Sequence, residues 1–142
     1  DEWTEPLARV LGQLGSRHVL VVHSDDGLDE LSVGATTRVS ELNDGKVKSM
    51  TIEPGAFGLG RHDKSALLVE SPAQSLEMIR AVLANRDGAA RDVVCLNAGA
   101  AIYVAGLAAD IAAGVEKAKQ SIASGAAAER LEKLIKISCS FA

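Results

Sequence analysis

The stretch VVHSDDGLDE, residues 21–30, sets four carboxylates, Asp25, Asp26, Asp29 and Glu30, directly after an apolar run. Two like charges about 4 Å apart repel by roughly 1 kcal/mol in water and about 4 kcal/mol at the effective dielectric of a partly buried site. Such a cluster cannot hold an anion unaided, so phosphate chemistry here requires a cation in between. Mg2+ suits that role, since it is held by one or two carboxylates and fills its other positions with waters and substrate phosphate oxygens. Asp29 and Glu30 are neighbours and would point to opposite faces of an extended strand, so they can serve one ion only in a turn or the first turn of a helix. Gly27, free to take positive φ, permits such a turn. Two structural readings compete with this one: a solvated turn, and carboxylates favoured by the dipole at a helix start.

Other residue types capable of chemistry give weaker signals. Cys95 and Cys139 form no CxxC pair, and with His18, His23 and His62 they show no zinc-ligand spacing. His23, at the end of the apolar run, reads as a structural histidine. Asn97 and Tyr103 sit in an apolar segment, where satisfying core hydrogen bonds is the expected task. Arg61, His62 and Asp63 read as a solvated loop. Lys117, Lys119, Arg130 and Lys133 read as charges on solvent-facing sides of helices. Gly58 and Gly60 alone do not define a phosphate cradle.

The chain that must position these residues has 142 of them, the size of one ordinary domain, with 47% apolar and 24% charged residues. Aromatic residues are only 3%, so Ala, Val, Leu and Ile must build the core. A net charge of −4 opposes nucleic acid as a partner, because a phosphate-backbone binder normally carries a basic face. No apolar run approaches the roughly 18 residues of a membrane span, and DEWTEP at the N-terminus is acidic where a secretory signal is basic. With its unpaired cysteines, this fits a cytoplasmic setting.

Hydrophobic spacing predicts a helix over residues 4–14, closed by Gly15. HVLVVH, residues 18–23, is apolar at consecutive positions and reads as a central parallel strand covered on both faces. NDG at 43–45 between two β-rich runs predicts an antiparallel hairpin over 36–53. A loop follows, with a short strand expected at 66–69. Ser71-Pro72 opens a helix ending near Asn85; residues 92–106 form a buried helix; Ile111, Val115, Ala118 and Ile122 stripe another that Gly125 ends; Leu131, Leu134 and Ile135 stripe the last. The fold class expected is α/β, a mixed central sheet with a parallel core strand and an antiparallel hairpin, flanked by helices. A strand buried on both faces needs parallel neighbours, and no other confident strand supplies them. The chain is therefore expected to be the C-terminal part of a longer protein.

Taken together, VLVVHSDDGLDELS, TTRVSEL, IEPGAFGL, SLEMIRAVL and VVCLNAGAAIYVAG, in this order, resemble the C-terminal part of the anthranilate phosphoribosyltransferases of tryptophan biosynthesis. The resemblance covers essentially all 142 residues, and DGLDE at 26–30 is its most specific part. It implies the C-terminal part of a nucleoside phosphorylase/phosphoribosyltransferase-type α/β domain. The family's N-terminal helical domain, its glycine-rich pyrophosphate loop and its anthranilate contacts would lie upstream. It implies transfer of phosphoribosyl from 5-phosphoribosyl 1-pyrophosphate to anthranilate, Mg2+ bound by Asp29 and Glu30, and a homodimer at full length, with this piece inactive alone. Asp25 and Asp26 inherit no role from the resemblance, and Ser24 stands where the family often has Gly. Two alternatives share the fold. A pyrimidine nucleoside phosphorylase would not be expected to carry the DGLDE turn, and a non-catalytic nucleic-acid-binding paralogue is opposed by the acidic net charge.

Overall fold

The computed structural model describes residues 2–141. Helix α1 (Thr4–Gln13) leads through Gly15, at φ 95°, into strand β1 (His18–Ser24). Strands β2 (Thr37–Asn43) and β3 (Lys46–Ile52) complete a three-stranded sheet of order β1-β2-β3. The expected hairpin is present: Asn43 pairs with Lys46, and Asp44 and Gly45 between them both take positive φ, 44° and 79°. That two-residue geometry twists with the strands and favours the Asp-Gly pair.

One expectation about the sheet changes. β1 is a strand, but its hydrogen-bonded neighbour is β2, antiparallel, with Val21 opposite Ser40, and its first six residues are only partly buried. Among the described residues no parallel partner lies beside it. Of its apolar side chains, Leu20 and Val22 pack against the core, and α1 contacts the sheet.

The expected short strand at 66–69 is also replaced, by a 3-10 turn over Lys64–Leu67. The Asp63 side chain accepts from the Ser65 N–H at 2.8 Å, and this local cap offers the backbone an alternative to a ladder that has no partner. A single 3-10 turn over Ala56–Gly58 marks the preceding loop.

The helices follow the apolar periodicity. α2 (Pro72–Leu83) starts at an N-cap in which Ser71 Oγ accepts from Gln74 N–H, with Pro at the first position. α3 (Ala89–Val104) begins three residues before the expected Asp92 and buries Cys95, Leu96, Gly99 and Ala100. α4 (Ile111–Ala123) starts where Asp110 accepts from Ala113 N–H at 2.8 Å, and it buries Ile111, Val115, Ala118 and Ile122 as its spacing predicts. α3 and α4 pack closely because glycines meet at their crossing: a Cβ on Gly99 would stand 2.5 Å from Val115 N. α5 (Ala126–Cys139) has the expected stripe but buries none of it. The core is aliphatic, running from Leu31, Val33 and Val39 through Leu96 to Val115 and Ile122.

Candidate functional site

The acidic turn begins where β1 leaves the sheet. Asp25 N–H donates to Thr36 O at 2.9 Å, just before β2, and Gly27 N–H donates back to Ser24 O at 3.0 Å. Gly27 takes φ 82°, the left-handed conformation that its sequence position requires.

The four carboxylates then part company. Asp26 is used by the fold itself. Its Oδ1 accepts from Leu28 N–H at 3.2 Å, and its Oδ2 accepts from Ser32 Oγ at 2.7 Å across the turn. Ser32, 2% exposed, also accepts from Gly34 and Ala35 N–H through the same oxygen. Partial burial of Asp26 works against its charge, but the Ser32 hydroxyl, the Leu28 N–H and Lys64 outweigh it and hold the carboxyl below its ordinary value. The buried Ser24 hydroxyl beside it acts in the same sense. Lys64 Nζ also donates to Asp26 O at 2.6 Å. Asp25 lies 3.6 Å from Arg38, a half-exposed pair of little energetic consequence.

Asp29 and Glu30 are left exposed. Immediately after them the chain is fixed again by Asn97 of α3. Asn97 Oδ1 accepts from Leu31 N–H at 2.9 Å, while its Nδ2 donates to Leu31 O at 2.9 Å and to Val93 O at 3.0 Å. Leu31 itself is 1% exposed and anchors the segment in the core. The carboxylate pair is thus presented on a short bridge between two fixed points. Beside it lies a cleft of about 390 Å³, which Leu28, Asp29 and Glu30 close on one side and Met78, Ile79 and Val82 of α2 and Val93 and Val94 of α3 on the other.

A third tether holds the far side of the turn. His62 N–H donates to Val33 O at 3.0 Å, and its ring Nε2 lies 2.9 Å from Asp92 Oδ2, which also accepts from Gly60 N–H. A Cβ on Gly34 would stand 2.5 Å from His62 O, so these two loops touch directly. The expectation of a solvated loop at 61–63 therefore holds for Arg61 and Asp63 but not for His62, which packs against buried Asp92. Asp92 in turn pairs with Arg91 at 3.6 Å, and Arg91 also pairs with Asp87.

The remaining residues singled out from the sequence stand apart from the turn's carboxylates. His23 is half-buried and faces Arg38 across the ladder. Tyr103, at the other end of α3, donates to Glu41 Oε1 at 2.6 Å; that oxygen also meets His18 Nε2 at 2.8 Å, and the two rings stand edge to face at 4.7 Å. The hydrogen bond to Glu41, with burial, raises the Tyr103 hydroxyl above its usual range. Burial does the same to the Cys95 thiol. Cys139 is exposed. Lys117 reaches Leu107 O and Lys119 pairs with Glu116, while Arg130 and Lys133 are exposed.

Asp29 and Glu30 are two adjacent exposed carboxylates, a donor set that could hold Mg2+. Among the described residues, no group of three or more His, Cys, Asp or Glu could enclose an ion. Mg2+ needs only the pair that Asp29 and Glu30 offer, because water and phosphate oxygens complete its shell. The contacts that fix the turn around these two carboxylates carry little signal in the sequence. Ser32, six residues past Asp26, carries a weak signal as a turn-forming hydroxyl, and the partner of Asn97 lies 66 residues away, beyond any local pattern.

Comparison with known proteins matches these features to one group. The model of the Glycosyl transferase family, a/b domain, covers residues 1–128. The anthranilate phosphoribosyltransferase of Thioalkalivibrio sulfidiphilus is 57% identical over 140 residues, 99% of this chain and 41% of that enzyme. The one from Methylococcus capsulatus is 51% identical over 142 residues, all of this chain and 42% of that enzyme. Among solved structures, anthranilate phosphoribosyltransferase from Thermus thermophilus superposes with a TM-score of 0.83 at 37% identity, covering 93% of this chain and 39% of the other. The Saccharomyces cerevisiae enzyme in complex with PRPP and Mg gives 0.76 at 26% identity, over 87% of this chain and 36% of the other. The chain thus spans about two-fifths of the length of the curated relatives it matches. With the family's a/b-domain model matched over residues 1–128 and its fold shared with solved members, the chain belongs to this glycosyl transferase family.

Proposed function

We propose that the protein carrying this chain is an anthranilate phosphoribosyltransferase of tryptophan biosynthesis, moving phosphoribosyl from 5-phosphoribosyl 1-pyrophosphate to the amino group of anthranilate with release of pyrophosphate. The observation that carries this reading is the 57% identity to such an enzyme over 99% of the chain. Asp29 and Glu30 are the residues that bind Mg2+. Support for that assignment comes from their exposure between two fixed points, from a donor count that suits this ion, and from the yeast structural neighbour, which was solved with PRPP and Mg. When bound there, Mg2+ supplies positive charge to the pyrophosphate as its bond to the ribose breaks.

The work of this chain's own residues is electrostatic and geometric. Asp29 and Glu30 draw the cation, and their exposure leaves room for waters and phosphate oxygens in its shell. Asp26 serves the turn, with Ser32 Oγ and Leu28 N–H donating to its two oxygens. The remaining contacts to both substrates belong to the portion of the protein that this chain does not span, so the chain by itself is inactive. At full length the protein is a cytoplasmic homodimer.

Loss of anthranilate fluorescence on adding 5-phosphoribosyl 1-pyrophosphate and Mg2+ to the full-length protein tests the activity. Phosphorolysis of thymidine without that loss would replace the reading with a nucleoside phosphorylase. Changing both Asp29 and Glu30 to Ala in the same protein should lower kcat by at least about 100-fold, the order seen when a main electrostatic contact to a transition state is lost. Undiminished turnover across a Mg2+ titration would remove the metal role from these residues.

A further inference from the structure

We infer that Asn97 is a positioning residue for the Asp29–Glu30 pair, and that metal affinity depends on its two-edged grip on Leu31. This rests on the metal-binding reading of that pair. Leu31 follows Glu30 directly, so Asn97 holds the Glu30–Leu31 peptide by its N–H and the Leu31–Ser32 peptide by its carbonyl. Asn97 accepts from Leu31 N–H and donates to Leu31 O, both at 2.9 Å. A short side chain with both an acceptor and a donor is required to close both edges of one residue's backbone, and the carboxamide of Asn provides both.

The grip is itself anchored. The second proton of Asn97 Nδ2 goes to Val93 O, one turn back on α3, which fixes the amide's orientation. α3 is immobilised in turn by its crossing with α4, where Gly99 and Val115 leave no slack. Leu31 is fully enclosed, so its backbone cannot turn to water for substitute partners. On the other side of the pair, Asp26 and Ser32 close the turn. Loss of the Asn97 grip would free the backbone between Glu30 and the core and let the carboxylates wander. Outer partners that orient metal ligands typically change affinity by about 10- to 100-fold when removed.

The test uses the full-length protein with Mn2+ as the probe, in the presence of pyrophosphate, and free Mn2+ read by electron paramagnetic resonance. Asn97→Ala is expected to raise the Mn2+ Kd by about 10-fold or more. Tyr103→Phe, which removes a hydrogen bond from the distal end of the same helix, is expected to lower the melting temperature and leave the Mn2+ Kd unchanged. A folded Asn97→Ala protein with wild-type Mn2+ affinity overturns the proposal. If Asn97→Ala does not fold, Asn97→Ser, too short to reach both edges of Leu31, carries the same expectation. Failure of both to fold makes Asn97 a core residue only and also overturns it. Failure of the unaltered protein to bind Mn2+ with pyrophosphate sinks the metal reading itself, an outcome distinct from loss of the positioning role.

Discussion

At the scale of single residues, the acidic turn resolves a crowd of like charges by giving each a different environment. Asp26 is held ionised by hydroxyl and amide donors, Asp25 leans on Arg38, and Asp29 and Glu30 are exposed. This partition has a pH signature. The folded-state pKa of Asp26 lies below the ordinary 3.8, so its charge contributes stability that is fully present above that value and is lost as pH falls through the lower folded value. Asp26→Asn should therefore destabilise the protein by about 1–3 kcal/mol at neutral pH, since an ionised group accepting at two oxygens is replaced by an amide with one accepting oxygen and a donor NH2. The difference from wild type should shrink as pH drops below 3.8, and urea unfolding across that range measures it. A constant difference at every pH would mean that packing, not charge, is what Asp26 provides. From the sequence, the four carboxylates were legible as a cluster but not as separate tasks. The division depends on Ser32 and on the path of the chain, and Asp26 and Asp29 differ only in which of them the turn folds inward.

Elements were legible where their signals are local. Asp44-Gly45 specified a hairpin through its own backbone preferences, and Ser71-Pro72 specified a helix start. The strand at 18–23 was legible as a strand, yet its partner was not, because consecutive apolar residues record only that both faces are covered. At 66–69 the apolar residues gave no period, and the Asp63 cap decided the outcome. The α3–α4 crossing was invisible in a different way: Gly99 and Gly114 look like weak points of two helices, although each is where the other helix must pass. In isolated helices Gly→Ala would gain close to 1 kcal/mol. Here the added methyl of Gly99→Ala would stand 2.5 Å from backbone that cannot rotate away, so the sign reverses. A net loss of about 1–3 kcal/mol is expected from forcing the helices apart. Thermal unfolding followed by circular dichroism checks it, and a rise in melting temperature would show that the crossing has room.

For the molecule as a whole, the deciding feature is apolar surface that this chain does not cover. Trp3, Leu7, Val10 and Leu14 along α1 are each between 47% and 77% exposed, and on α5 Leu134 and Ile137 are 62% and 58% exposed. Among the described residues no strand pairs with the outer edge of β1. A monomer seldom leaves contiguous patches of this kind to water, and an open strand edge invites pairing with another chain. The chain spans about two-fifths of its curated relatives, whose greater length offers material to cover such faces. The 142-residue chain alone should therefore self-associate as its concentration rises, with a sedimentation coefficient that grows over the micromolar range. α5 buries no residue of its own, so Leu134→Glu can remove part of the exposed stripe without disturbing the core. That variant should keep the wild-type circular dichroism spectrum and sediment more slowly at equal concentration. If both forms stay monomeric at every concentration, the exposed α1 and α5 faces are tolerated by water, and the association expected of this surface does not occur.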